Sequence, residues 1–262
     1  MNWAGPVCIS LLFLALAGCS HTATRATGVQ EEFQICREDD RVRHQDGGEI
    51  QAARVAGLLD AAVARVESVH GLPFLRPPQV HVCVTTTCFQ RLVPGTGYSA
   101  AVLPGDLLVL SPSLFERESD RLPGILTHEL SHLHLGQRLG HYTPWLPVWF
   151  HEGLATHVAK GGGAEFASDL QARVAWEEGR QVDFSRLDVP GRRHRAGEFG
   201  LNIHEFYRQS WRFVAYLEQR DPAAFAAMLA AIQANTDITI SVADAYNAGL
   251  ERLEQDFIQA GR

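Results

Sequence analysis

One run of residues governs how this chain can fold: RLPGILTHELSHLHLGQRLGH, residues 121–141. Ile125, Leu126, Leu130, Leu133 and Leu139 recur at helical spacing and cover most of a helix circumference. A helix that is apolar on most sides belongs in the interior. Pro123 near its start and Gly140 near its end mark its limits. Yet the same run carries His128, Glu129, His132 and His134 within seven residues. The rest of the chain has to supply what that polar constellation needs.

Sheet elements come first. EEFQICRE has alternating apolar residues, Phe33 and Ile35, and predicts a short strand. Val55, Leu58, Leu59, Ala62, Val63, Val66 and Val69 then recur at helical spacing up to Gly71. QVHVCVT, with Val80, Val82 and Val84 alternating, predicts a second strand. Strand, helix, strand in that order predicts a right-handed crossover onto one sheet. GYSAAVLPGDLLVLSP predicts two strands around a Pro104-Gly105-Asp106 turn. After the central run, TPWLPVWFHEGLATHVAKGGG predicts a second helix, with Pro147 in its first turn and glycines closing it. A polar helix around FASDLQARVAWEEG follows, then an irregular Arg/Gly-rich segment near VPGRRHRAGEFG, then two or three more helices. The expected class is α+β: a small mixed sheet with covering helices in the N-terminal part, a helix pair bearing the histidines and glutamates, and a mainly helical C-terminal part. With 262 residues, 46% hydrophobic and 20% charged, the chain has globular composition and can build one substantial domain or two lobes around a cleft. A net charge of −7 provides no basic footprint for nucleic acid.

His128 and His132 lie one turn apart on one helix face, where two imidazoles can grip one ion. Glu129 is turned about 100° from His128, beside such an ion rather than on it. Two ligands do not make a catalytic zinc site; three ligands and a water do. The third candidate is Glu152, 20 positions after His132 on the next helix, which a helical hairpin returns to the first. HELSH followed by PVWFHEGLA resembles the gluzincin peptidases, the thermolysin-like group that includes the peptidase-MA and aminopeptidase-N families. Pro147, Trp149, Phe150, Glu152, Gly153 and Ala155 match their second motif. FYRQSWRFVAYL, Phe206 to Leu217, resembles the Tyr-containing helix that follows in many peptidase-MA-like chains. In element order the resemblance runs from about residue 33 to the C-terminus, although only the two metal motifs are specific.

The resemblance implies a zincin-like domain over residues 33–262, holding Zn2+ on His128, His132 and Glu152. It implies hydrolysis of a protein or peptide substrate with Glu129 as general base. Tyr207 is the candidate oxyanion donor, with His204 and His157 behind it. Thermolysin-like sites often carry an acid four residues after the glutamate ligand, to orient a zinc histidine. Thr156 stands there in this chain, so the orienting groups have to come from elsewhere. No G-x-M-E-N motif is present, which favours endopeptidase over exopeptidase action. The hairpin from Tyr98 to Leu110 is expected beside the cleft, where it can pair with an extended substrate. The metzincin pattern fails, because Leu135 and Arg138 occupy its glycine and third-histidine positions. His134 and His141 are therefore not expected as ligands, and His151 and His157 are expected as surface or supporting histidines. The alternative reading is a catalytically silent binding or assembly factor on the same scaffold.

The N-terminal run PVCISLLFLALAGCS has signal-peptide length and falls short of the roughly 20 residues that a membrane span needs. LAGC, Leu16 to Cys19, resembles the lipobox of bacterial lipoproteins. That resemblance implies a signal peptide over residues 1–18, lipid on Cys19, and a polar tether over 19–32. Ser20 after the cysteine implies an outer-membrane anchor facing the periplasm of a bacterial cell envelope. Cys36, Cys83 and Cys88 remain, for which one disulfide and one free thiol are expected in an oxidising compartment, with the pairing open. CVTTTC lacks the second cysteine pair of a zinc knuckle.

Overall fold

Five short strands make one mixed sheet in the computed structural model, which describes residues 33–260 apart from 96 and 189–191. They are β1 (Gln34–Ile35), β2 (Val42–His44), β3 (Gln79–Val82), β4 (Ala100–Leu103) and β5 (Leu107–Leu110), in the spatial order β1-β2-β3-β5-β4. β2, β3 and β5 run parallel; β1 and β4 are antiparallel edge strands. The helix α1 (Glu49–His70) links β2 to β3. Its stripe of Val55, Leu59, Ala62 and Val66 is buried, and Gly71 closes it in the left-handed conformation at φ 74°. The crossover therefore starts at β2, not at the strand around Phe33. A three-residue Val-Arg-His strand has too little pattern to be read from sequence. The Phe33/Ile35 alternation also fails: Phe33 is buried against His81, whereas Ile35 is exposed.

α2 (Thr86–Leu92) opens on Thr85, whose hydroxyl accepts from the Cys88 N–H. A Cys83–Cys88 disulfide ties it to the end of β3, and Cys36 is free and buried. α3 (Ser113–Glu116) leads into α4 (Leu122–Leu139), the long apolar helix, and α5 (Val148–Val158) follows it. α6 (Asp169–Glu177) and α7 (Ile203–Arg220) both begin on capping boxes, Ser168 with Gln171 and Asn202 with Glu205. α8 (Pro222–Gln233), α9 (Ile238–Tyr246) and α10 (Leu250–Gln259) complete the described chain. Four helices thus follow the irregular segment, more than the two or three expected. Asp221 accepts from Ala223 and Ala224 N–H groups ahead of Pro222, and so divides α7 from α8.

A main core runs from Cys36 to Phe257 and takes in Leu126, Leu130 and Leu133 of α4 and Trp149, Phe150 and Leu154 of α5. A smaller cluster lies under α2. α5 and α7 cross closely because Gly153 has no side chain: a Cβ there would stand 2.7 Å from the Ser210 carbonyl oxygen. None of the helices among the described residues is long and apolar enough to cross a membrane.

Candidate metal centre

The packing of α4 and α5 decides which polar side chains meet. Burial of Leu126, Leu130 and Leu133 fixes the rotation of α4, and burial of Trp149, Phe150 and Leu154 fixes that of α5. The turns left between them bring His128 and His132 of α4 against Glu152 of α5. Glu152 Oε2 lies 3.3 Å from His128 Nε2 and 3.3 Å from His132 Nε2. The two Nε2 atoms are 3.0 Å apart. Four ligands held tetrahedrally at about 2.0–2.1 Å from zinc are separated by about 3.3 Å, so the triangle has the size that one such ion sets. Its chemistry fits as well. His128 Nδ1 donates to the Gly162 carbonyl at 2.9 Å, which leaves Nε2 with a lone pair. This lone pair, the Glu152 carboxylate and His132 converge on one point, where a cation satisfies all three. These residues form a group that could hold a metal ion.

Charge couples the same groups to one another. Burial opposes ionisation of Glu152, but His132 and His128 outweigh it and hold the carboxyl well below its ordinary value. Burial likewise pushes His128 down, and Glu152 and Glu129 more than offset it. Glu129 has the reverse balance: burial pushes its carboxyl up, opposed by His132 and His128. Glu129 stands outside the ligand triangle and faces the same cleft, a space of about 300 Å³. The opposite wall is the hairpin, with Tyr98, Ser99, Ala100 and Ala101 lining the cleft as expected for this segment.

Tyr207 reaches the cleft from α7. Its ring stacks on His128 with centroids 5.8 Å apart, and its buried phenol feels the charge of Glu152. Burial, then Glu152, raise its pKa well above the ordinary phenol value, so it remains a proton donor. Of the two histidines placed behind it, His204 lines the cleft. His157 instead turns away, with Nε2 2.9 Å from Glu218 Oε2. His134 lies on the back of α4, its Nε2 2.8 Å from the Leu72 carbonyl and its ring against His70 and Phe74. His141 is exposed beside Tyr142. Neither belongs to the His128–His132–Glu152 group.

Two contributors were not visible in the sequence, and a third, His151, was expected only as a surface or supporting histidine. The glycines after α5 do more than end it: Gly162 supplies the carbonyl for His128, and Gly163, at φ 95°, lies where a Cβ would come within 2.8 Å of His128 Nδ1. Asp188, from the irregular segment, accepts the Val148 N–H at 3.0 Å and so caps α5 from outside. His151 packs against His132 with ring centroids 4.0 Å apart. Thr156 takes no part, since its buried hydroxyl has no partner among the described residues. Cys19 lies outside the described residues. No protein-family model matches this chain, and no curated protein matches it.

Proposed function

We propose that this protein is a zinc-dependent endopeptidase of the gluzincin type, with a zincin-like fold, acting on proteins or peptides of the bacterial cell envelope. The observation that carries the reading is the His128–His132–Glu152 triangle with Glu129 beside it in an open cleft. Two imidazoles and one carboxylate form a donor set suited to catalytic zinc. A zinc ion held there supplies a Lewis acid that polarises a carbonyl and lowers the pKa of water to about 7. Glu129 takes the proton from the attacking water and passes it to the leaving amine. Its burial favours that role, because a raised carboxyl pKa makes it a better proton carrier near neutral pH. Tyr207 donates its hydroxyl hydrogen to the oxyanion that forms at the substrate carbonyl. Among the described residues β4 pairs only with β5, so its outer edge offers backbone groups to an extended substrate along the cleft. The LAGC motif supports a lipid anchor that keeps the enzyme at the outer membrane, facing the periplasm.

Proteomic profiling tests this reading. An envelope extract treated with wild-type protein should gain new peptide termini that are absent after treatment with the Glu129→Gln variant. Identical termini in both samples would remove the peptidase assignment.

A further inference from the structure

The two metal-directed histidines are held in different ways. His128 is turned by a backbone carbonyl, that of Gly162. Among the described residues, no carbonyl is bonded to His132 in this way. For its Nε2 to offer a lone pair at the metal point, its Nδ1 must carry the proton and needs an acceptor. The polar atom placed there is His151 Nε2, 3.1 Å from His132 Nδ1. The rings lie 4.0 Å apart at 27°, so His151 also limits the tilt of His132. Among the described residues the Thr156 hydroxyl has no hydrogen-bond partner.

We infer that His151 is a positioning residue for the metal centre: it accepts the Nδ1 proton of His132 and so fixes the tautomer and direction of that ligand. This rests on the proposed metal site and extends it. His151 and Glu152 are consecutive on α5, about 100° apart around the helix axis. Glu152 faces Nε2 of His132 and His151 faces Nδ1, so neighbouring residues of one helix grip both nitrogens of one imidazole. His151 does not join the ligand group itself, because its nitrogen is directed to the far side of His132. A slight rotation of α5 therefore shifts a ligand and the orientation of its partner together.

Competition with a chromophoric chelator measures Zn2+ affinity for the purified wild type and for three variants: His151→Leu, His151→Asn and His151→Gln. Removing an orienting partner costs about 10- to 100-fold in metal affinity. His151→Leu should show a loss of that size. His151→Asn, polar but too short to reach, should show the same. His151→Gln, whose Oε1 can stand where Nε2 does, should stay within about threefold of wild type. The absorption of bound Co2+ should change for Leu and Asn and not for Gln. Wild-type affinity in the Leu or Asn variant would overturn the inference, as would an equal loss in all three. A Leu variant that fails to fold leaves the Asn and Gln comparison to decide. A wild-type chain that takes up no zinc would overturn the metal site and this inference together.

Discussion

Glu129 follows His128 directly, yet its carboxylate stands outside the ligand triangle. Helical geometry separates the two roles, since neighbours on a helix diverge by about 100°. Glu129→Gln should therefore abolish cleavage, by at least about 100-fold for loss of a general base, and leave zinc content unchanged. A peptide-cleavage assay beside metal analysis checks both halves. A second residue gives a pH test of the fold. Burial, with Arg43 nearby, pushes His81 down to about 4. The unfolded chain protonates this imidazole near pH 6.5, whereas the folded chain resists until about pH 4. Stability should then fall as pH is lowered through that window, by on the order of 2 kcal/mol for this group. Urea unfolding at pH 7 and pH 5 should show a smaller difference for His81→Phe than for wild type. His128 and His132 were legible from helical spacing, and Glu152 from the resemblance of its own motif to that of the gluzincins. Gly162 and the partner of His151 were not, because such contacts are set by how two helices and a loop meet.

α5 carries more of the site than its motif suggests. It presents Glu152 and His151 to α4, while Gly153 lets α7 close in from the other side and bring Tyr207 to His128. Gly153→Ala would force a methyl group against the Ser210 backbone, and overpacking of this kind costs about 1–3 kcal/mol. The midpoint of urea unfolding should fall accordingly; an unchanged midpoint would mean that α5 and α7 separate without cost. The sequence showed α1, α4 and α5 clearly, since each has enough turns to display a helical period. β2, with three residues, and α2, with seven, carry too few positions for a period to emerge. The boundary between α7 and α8 is a local capping event at Asp221, ahead of Pro222 and within the polar run EQRDP.

Across the molecule, the sheet builds one wall of the cleft and the helix pair builds the other, and the main core holds the two together. The α+β class with a small mixed sheet was legible because strand-like segments precede helical ones along the chain. The sheet order was not, since it depends on β5 inserting between β3 and β4. The expected lipid anchor concerns where this assembly works. Cys19→Ser should move the protein from the membrane to the soluble fraction after cell lysis; full retention on membranes would reject the anchor. The central claim concerns the ion itself, and elemental analysis of the purified protein addresses it without any need for a substrate. About one zinc per chain is predicted for wild type, as three protein ligands and one open position require, with zinc lost in Glu152→Ala. A wild-type protein carrying no zinc after exposure to the ion, or a Glu152→Ala variant retaining a full equivalent, would contradict the account.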